Sequence, residues 1–175
     1  MIIYKVSGKE GYLELQFKNY DSDKELIRLL SEDRSVKKEW GTPAVNIITK
    51  GKKTDCPFFW VGTRLAVVSE KAKDELKDVW EADNIELLPL ICDDIIYYIL
   101  HIMQTENISF DFADDYSIVF NKSECKKHRI TDKFLFRSHV MENARDKSIF
   151  VTEKFIERIK KSDLKGFGFK KIWEE

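Results

Sequence analysis

The spacing of apolar residues along the chain changes several times, and each change marks an element. IIYKV (2–6) and YLELQF (12–17) are short apolar or alternating runs split by Gly8 and Gly11. They predict a pair of strands with a glycine-containing connection. In DSDKELIRLLSED (21–33), Leu26, Leu29 and Leu30 fall on one helical face, with Asp21 or Ser22 as the cap. AVNIIT (44–49) predicts a short strand within turn chemistry, and Pro43 and Pro57 keep helix out of their surroundings. DDIIYYILHIMQ (93–104) fits a buried helix or a strand, although the β-branched and aromatic run Ile95–Ile99 favours strand. ISFDF (108–112) and YSIVF (116–120) predict strands joined by a turn at ADD (113–115), and KFLFRSHV (133–140) predicts another.

One pattern occurs twice. LAVVSEKAKDEL (65–76) and IFVTEKFIERI (149–159) each run from an apolar strand into a hydroxyl residue, then Glu-Lys, then helical spacing. Ser69 and Thr152 are placed to cap their helices, and Glu70 and Glu153 to favour the positive end of the helix dipole. Ala72, Leu76 and Val79 form the buried face of the first helix; Phe155, Ile156 and Ile159 form that of the second, with Leu164 beyond its last turn. A strand follows each helix: NIELLPL (84–90) after the first, and FKKIW (169–173), opened by Gly166 and Gly168, after the second. Helix starting accounts for the repeated hydroxyl and glutamate without invoking catalysis. The sum is one α+β domain over residues 1–175, with a mixed, mostly antiparallel sheet, a few helices and two similar strand–cap–helix–strand units.

Composition narrows the function classes. The 175 residues are 43% hydrophobic and 35% charged, yet the net charge is only −1, so the chain is not polyanion-binding by composition. The charge is nevertheless sorted. Residues 78–121 contain no Lys or Arg and ten acids: Asp78, Glu81, Asp83, Glu86, Asp93, Asp94, Glu106, Asp111, Asp114 and Asp115. That segment is −10, leaving +9 elsewhere. A basic run follows at once, with Lys122, Lys126, Lys127, Arg129, Lys133 and Arg137. No apolar run is long enough for a membrane helix, and MIIYKVSGKEGYLEL lacks a basic leader, so no secretion signal is expected. Cys56, Cys92 and Cys125 are scattered and odd in number, which points to reduced thiols and a cytoplasmic location.

Reactive constellations are sparse. Cys125 and His128 make a single CxxH, with His139 beyond, but no second ligand pair accompanies them and Lys126 and Lys127 oppose a cation. Cys56 has no recognisable base, and His101 sits in an apolar run. GxSxG, Walker, GxGxxG and HExxH motifs do not occur. The pairs Asp93–Asp94 and Asp114–Asp115 lack calcium-loop spacing. The expectation is therefore a protein that is not an enzyme and has no cofactor or metal.

Three phrases taken in order carry a family resemblance: DCPFFWVGTRLAVVSEKAKDEL (55–76); YYILHIMQ (97–104) followed by SFDFADDYS (109–117); and IFVTEKFIERIKKSDLKGFGFKKIWEE (149–175). Together they resemble the bacterial polymorphic-toxin immunity proteins of family eleven, a former domain of unknown function. The matching positions are Ser69, Tyr97 or Tyr98, Asp111, Ser117, Thr152 and 164–169. Asp114–Asp115, close before Ser117, departs from the family pattern. The resemblance covers residues 54–175, and residues 1–53 are less distinctive. It implies a cytosolic protein that binds and stoichiometrically neutralises a cognate toxin encoded by an adjacent gene, with no membrane partner. The acidic stretch then supplies the contact surface, through Asp93, Asp94, Glu106, Asp111, Asp114, Asp115 and Tyr116. The alternative is a nucleic-acid-binding module that uses the basic 122–137 segment through Lys126, Lys127, Arg129 and Arg137.

Overall fold

The computed structural model describes residues 1–60, 65–113, 117–140 and 143–175. The chain starts with strands β1 (Ile2–Gly8) and β2 (Glu14–Phe17). A single α turn, α1 (Tyr20–Asp23), then tightens into a 3-10 stretch at Lys24–Ser31, and a short α2 (Lys37–Trp40) precedes β3 (Val45–Thr49) and β4 (Phe58–Phe59). Next come β5 (Val67–Ser69), α3 (Glu70–Glu75), α4 (Lys77–Ala82), β6 (Ile85–Cys92) and β7 (Ile95–Ile102). Strands β8 (Thr105–Phe112) and β9 (Ile118–Phe120) lead to α5 (Lys122–Lys127), followed by β10 (Leu135–Val140) and β11 (Asn143–Thr152). Helix α6 (Glu153–Lys160) and β12 (Phe167–Glu174) close the chain.

These elements form an α+β fold with three sheets, ordered β12-β1-β11-β10-β8-β9, β3-β2-β4 and β5-β7-β6. All pairings are antiparallel except β10 with β8 and β2 with β4. The repeated pattern builds the same arrangement twice. Strands β5 and β6 are both antiparallel to β7, so they run parallel to each other with β7 between them. Strands β11 and β12 flank β1 in the same way. Each unit is therefore a split β-α-β, with a third strand inserted between its two parallel strands. In the first unit that strand follows at once through a two-residue turn; in the second it is the start of the chain.

The helices of the two units share one core. Ala72, Leu76, Val79 and Trp80 pack in the same cluster as Phe155, Ile159 and Leu164, and the Trp80 and Phe155 rings lie 6.5 Å apart. Polar contacts reinforce this junction at its rim, where Arg158 donates to the Glu75 carbonyl at 2.5 Å and to Asp78 at 3.1 Å. A second cluster packs Leu15, Phe17, Trp40 and Phe59 against Leu88, Leu90, Tyr97 and Ile99. An aromatic cluster of Phe110, Phe120, Phe136 and Phe150 fills the far half of the six-stranded sheet. Strand β7 contributes Tyr97 and Ile99 to one core and Leu100 and Ile102 to another. A strand covered on both faces carries a continuous apolar run in place of alternation. That burial resolves the helix-or-strand ambiguity of residues 93–104 in favour of strand.

Three expectations need correction. Strands β1 and β2 do not pair with each other; β1 joins β11 and β12, and β2 joins β3 and β4. A side chain at Gly8 would collide with the Phe58 backbone, so this glycine permits a crossing between sheets and not a hairpin. The residue before α1 is Asn19, and no side chain caps that helix; the Ser22 hydroxyl instead donates to the Asn19 carbonyl at 3.1 Å. The two hydroxyls of the repeat also differ. Ser69 caps α3, accepting from the Ala72 N–H at 3.1 Å, and donates to Asp55 at 2.6 Å. Thr152 makes no cap bond, because its hydroxyl donates sideways to the Lys133 carbonyl at 2.6 Å, just before β10.

The shared core makes a direct prediction for stability. Phe155→Ala should destabilise the fold by about 3–5 kcal/mol in denaturant unfolding, the usual range for a buried aromatic truncated to alanine. Ser69→Ala should cost about 1 kcal/mol through loss of its cap.

Candidate interaction surface

Folding divides the acidic stretch into buried and exposed members. Glu86 is 4% exposed. Its carboxylate accepts from the Ser35 hydroxyl at 2.5 Å and the Val36 N–H at 3.0 Å, and it faces His101 Nδ1 at 3.0 Å. Burial pushes this carboxyl up, but the bonds from Ser35, Val36 and His101 together outweigh burial and hold it below its ordinary value. The other ring nitrogen of His101 lies 2.9 Å from the Glu32 carbonyl, so both nitrogens face acceptors. Asp83 accepts from the backbone N–H groups of Phe134 and Leu135 at 2.7 and 2.8 Å, fixing the start of β10. Its burial raises its pKa above the usual carboxylate value despite those two bonds. Asp78 pairs with Arg158, which holds its carboxyl below its ordinary value, and Glu81 pairs with Lys77 along α4 at 3.6 Å.

Glu106, expected on the contact surface, is turned inward. It is 7% exposed and meets His128 at 3.1 Å and Lys133 at 2.8 Å. A carboxylate this deep needs compensation from within the fold. Of the acids expected on the contact surface, those exposed among the described residues are Asp93 and Asp94, in the turn between β6 and β7, and Asp111 near the end of β8. Asp114, Asp115 and Tyr116 lie outside the described residues.

The basic segment is depleted in the same way. Arg137 is 2% exposed; it donates to the Leu30 carbonyl, to Glu32 at 3.1 Å and to Asp33, so it holds the 3-10 stretch and offers nothing to a nucleic acid. Lys126 reaches Glu175 at 3.4 Å, Lys122 meets the same carboxylate, and Arg129 pairs with Asp132 at 2.6 Å.

Nucleophiles are also withdrawn. All three cysteines are buried. Burial pushes the Cys56 thiol up to about 12 and the Cys125 thiol up to about 11, away from the reactive thiolate. Cys125 packs in the aromatic cluster, whereas His128 turns to Glu106, so the CxxH does not converge. An open groove of about 720 Å³ beside α4 is lined by Lys73, Lys77, Trp80 and Glu81, among others. Its lysines are paired within α3 and α4, Lys73 with Glu70 at 3.4 Å and Lys77 with Glu81 at 3.6 Å.

The exposed β6–β7 turn has apolar neighbours that periodicity did not single out. Ala44 forms a parallel bridge to Ile91, and the Ile91 N–H donates to the Pro43 carbonyl at 3.0 Å. The turn therefore lies alongside β3. Ile47 and Ile48 on β3 are each 45% exposed, Ile91 is 37% exposed and Ile95 is 52% exposed. Cys92 pairs with Ile95 across the turn, and Asp93 takes a left-handed φ of 50°, which a short polar side chain tolerates. Neither Asp93 nor Asp94 has an ion-pair partner among the described residues. The sequence pattern places Asp93 and Asp94 at the start of the 93–104 element and signals no turn there, and a short apolar run does not reveal which of its members face solvent.

No family model and no curated protein matches the chain. Among the described residues, no helix is long and apolar enough to cross a membrane.

The Glu86 cluster predicts a defined acid response. A carboxyl held below its ordinary value stabilises the fold fully above that value, 4.5, and loses the contribution as pH falls through its lower folded value. Urea titrations of the wild-type chain should show stability falling as pH drops below 4.5, and Glu86→Gln should flatten that limb. At neutral pH the same variant should be about 3–5 kcal/mol less stable, the usual cost of breaking a buried pair from one side. Arg137→Ala should carry a similar penalty, about 3–5 kcal/mol, by stranding the groups it now satisfies.

Proposed function

We propose that this chain is a cytoplasmic immunity protein that binds a cognate bacterial toxin and neutralises it stoichiometrically, with no chemistry of its own. The observation that carries the reading is the division of ionisable groups. The buried His101, Glu86, Glu106 and Arg137 are tied to internal partners, and the thiols are buried, whereas unpaired carboxylates among exposed aliphatic residues remain on the surface. Such a distribution suits recognition better than turnover. Unpaired surface acids create a negative potential that speeds encounter with a basic partner and disfavours acidic ones. The resemblance in residues 54–175 supplies the toxin as that partner, and the adjacent gene as its source.

The test is co-expression with the polypeptide encoded by the adjacent gene, followed by tandem purification and growth measurement. The reading predicts a stable equimolar complex and restored growth. Growth arrest that the chain does not relieve, with no complex recovered, would overturn it.

A further inference from the structure

We infer that the β6–β7 turn and strand β3 together form the toxin-docking surface: the exposed side chains of Ile47 and Ile95 beside the carboxylates of Asp93 and Asp94. The inference rests on the immunity reading and names the surface that carries it. Half of the large hydrophobic residues exposed among the described residues gather on these two adjoining segments; the others are Tyr20, Trp60, Phe112 and Val119. Ile95 pairs with Cys92 and Ile47 lies two residues beyond Val45, so both lie on the side of the core that Cys92 and Val45 share, whereas Ile91, paired with Ile96, faces the other way. Neighbouring exposed aliphatics on one side mark an interaction site, whereas single exposed apolar residues do not.

The charge at this patch specifies the occupant. Asp93 and Asp94 are exposed and have no ion pair among the described residues, in a fold that compensates its buried carboxylates. Covering them with an apolar or acidic surface would strip two carboxylates of water without replacement, which is costly. The fitting partner presents an apolar spot ringed by Lys or Arg. A second copy of this chain fits poorly, because a two-fold contact centred here would bring four carboxylates together. The patch is also rigidly presented, since the turn has only two residues, Cys92 pairs with Ile95, and Ile91 is bonded to Pro43. A preformed surface spends little ordering entropy on binding.

The experiment uses the full chain and the purified adjacent-gene polypeptide. Binding is measured by titration calorimetry and by stopped-flow at low and moderate salt. Two double variants probe the patch, Ile47→Ser with Ile95→Ser and Asp93→Lys with Asp94→Lys. All four positions are exposed, and circular dichroism with thermal unfolding verifies that each variant folds. Asp111→Lys, on the other sheet, is the control. The inference predicts at least a tenfold loss of affinity for the isoleucine variant. It predicts at least a tenfold slower association for the charge variant, with weakened salt dependence, and a change within twofold for the control. If the wild-type complex forms and both patch variants bind like wild type, the docking surface lies elsewhere and the immunity reading stands. If wild type forms no complex, both fall. A wild-type homodimer in sedimentation that Ile95→Ser dissociates would assign the patch to self-association and overturn the inference.

Discussion

A charge taken out of water must be compensated inside the protein, and this requirement organises the molecule. The acidic stretch from Asp78 to Asn121 contains no Lys or Arg, so apart from His101, which faces Glu86, the ion-pair partners of its carboxylates come from other parts of the chain. Glu86 recruits Ser35 and Val36 from the N-terminal region, Glu106 recruits His128 and Lys133, Asp78 recruits Arg158, and Asp83 orders the backbone at Phe134 and Leu135. These contacts stitch segments distant in sequence across the sheets. The same requirement runs in reverse at Arg137, whose guanidinium gathers the Leu30 and Glu32 carbonyls and Asp33 around the end of the 3-10 stretch. Asp93, Asp94 and Asp111, exposed and without an ion pair among the described residues, are the ones free to meet another molecule.

The apolar framework is built on repetition. Two split β-α-β units place α3, α4 and α6 in one core, and β7 and β1 occupy equivalent central positions. Each unit leaves the second face of its central strand open to further packing. β7 meets the small sheet of β2, β3 and β4, whereas β1 contributes Ile3 to the aromatic cluster beneath the six-stranded sheet. Docking of the small sheet brings β3 beside the β6–β7 turn, so the candidate surface follows from the way the first unit is completed.

Local signals in the sequence were faithful wherever the chain obeyed local physics. The strand of residues 44–49, the Ser69 cap, the hairpin of β8 and β9, and the closing strand after Gly166 all follow from short-range pattern. Long-range competition accounts for what was not legible. Thr152 has a capping residue's position, but a nearby carbonyl claims its hydroxyl. Gly8 and Gly11 look like hairpin glycines, but close approach of the Phe58 backbone makes the segment a crossing. Charge runs gave signs without depths. Glu106 and Arg137 read as surface residues, and only the fold reveals that each lies beside an internal partner. The exposure of Asp93 and Asp94 comes from a two-residue turn that the 93–104 pattern does not signal, and that of the isoleucines beside them depends on how β3 meets β6.

On this account the protein separates charge used for folding from charge available for recognition, and the recognition surface is the acidic turn beside β3. The most direct measurement is hydrogen exchange by mass spectrometry on the chain alone and in complex with the adjacent-gene polypeptide. The account predicts new protection over residues 45–49 and 91–96, with segment 122–133 unchanged. New protection confined to segment 122–133, with the acidic turn exchanging as in the free chain, would contradict it.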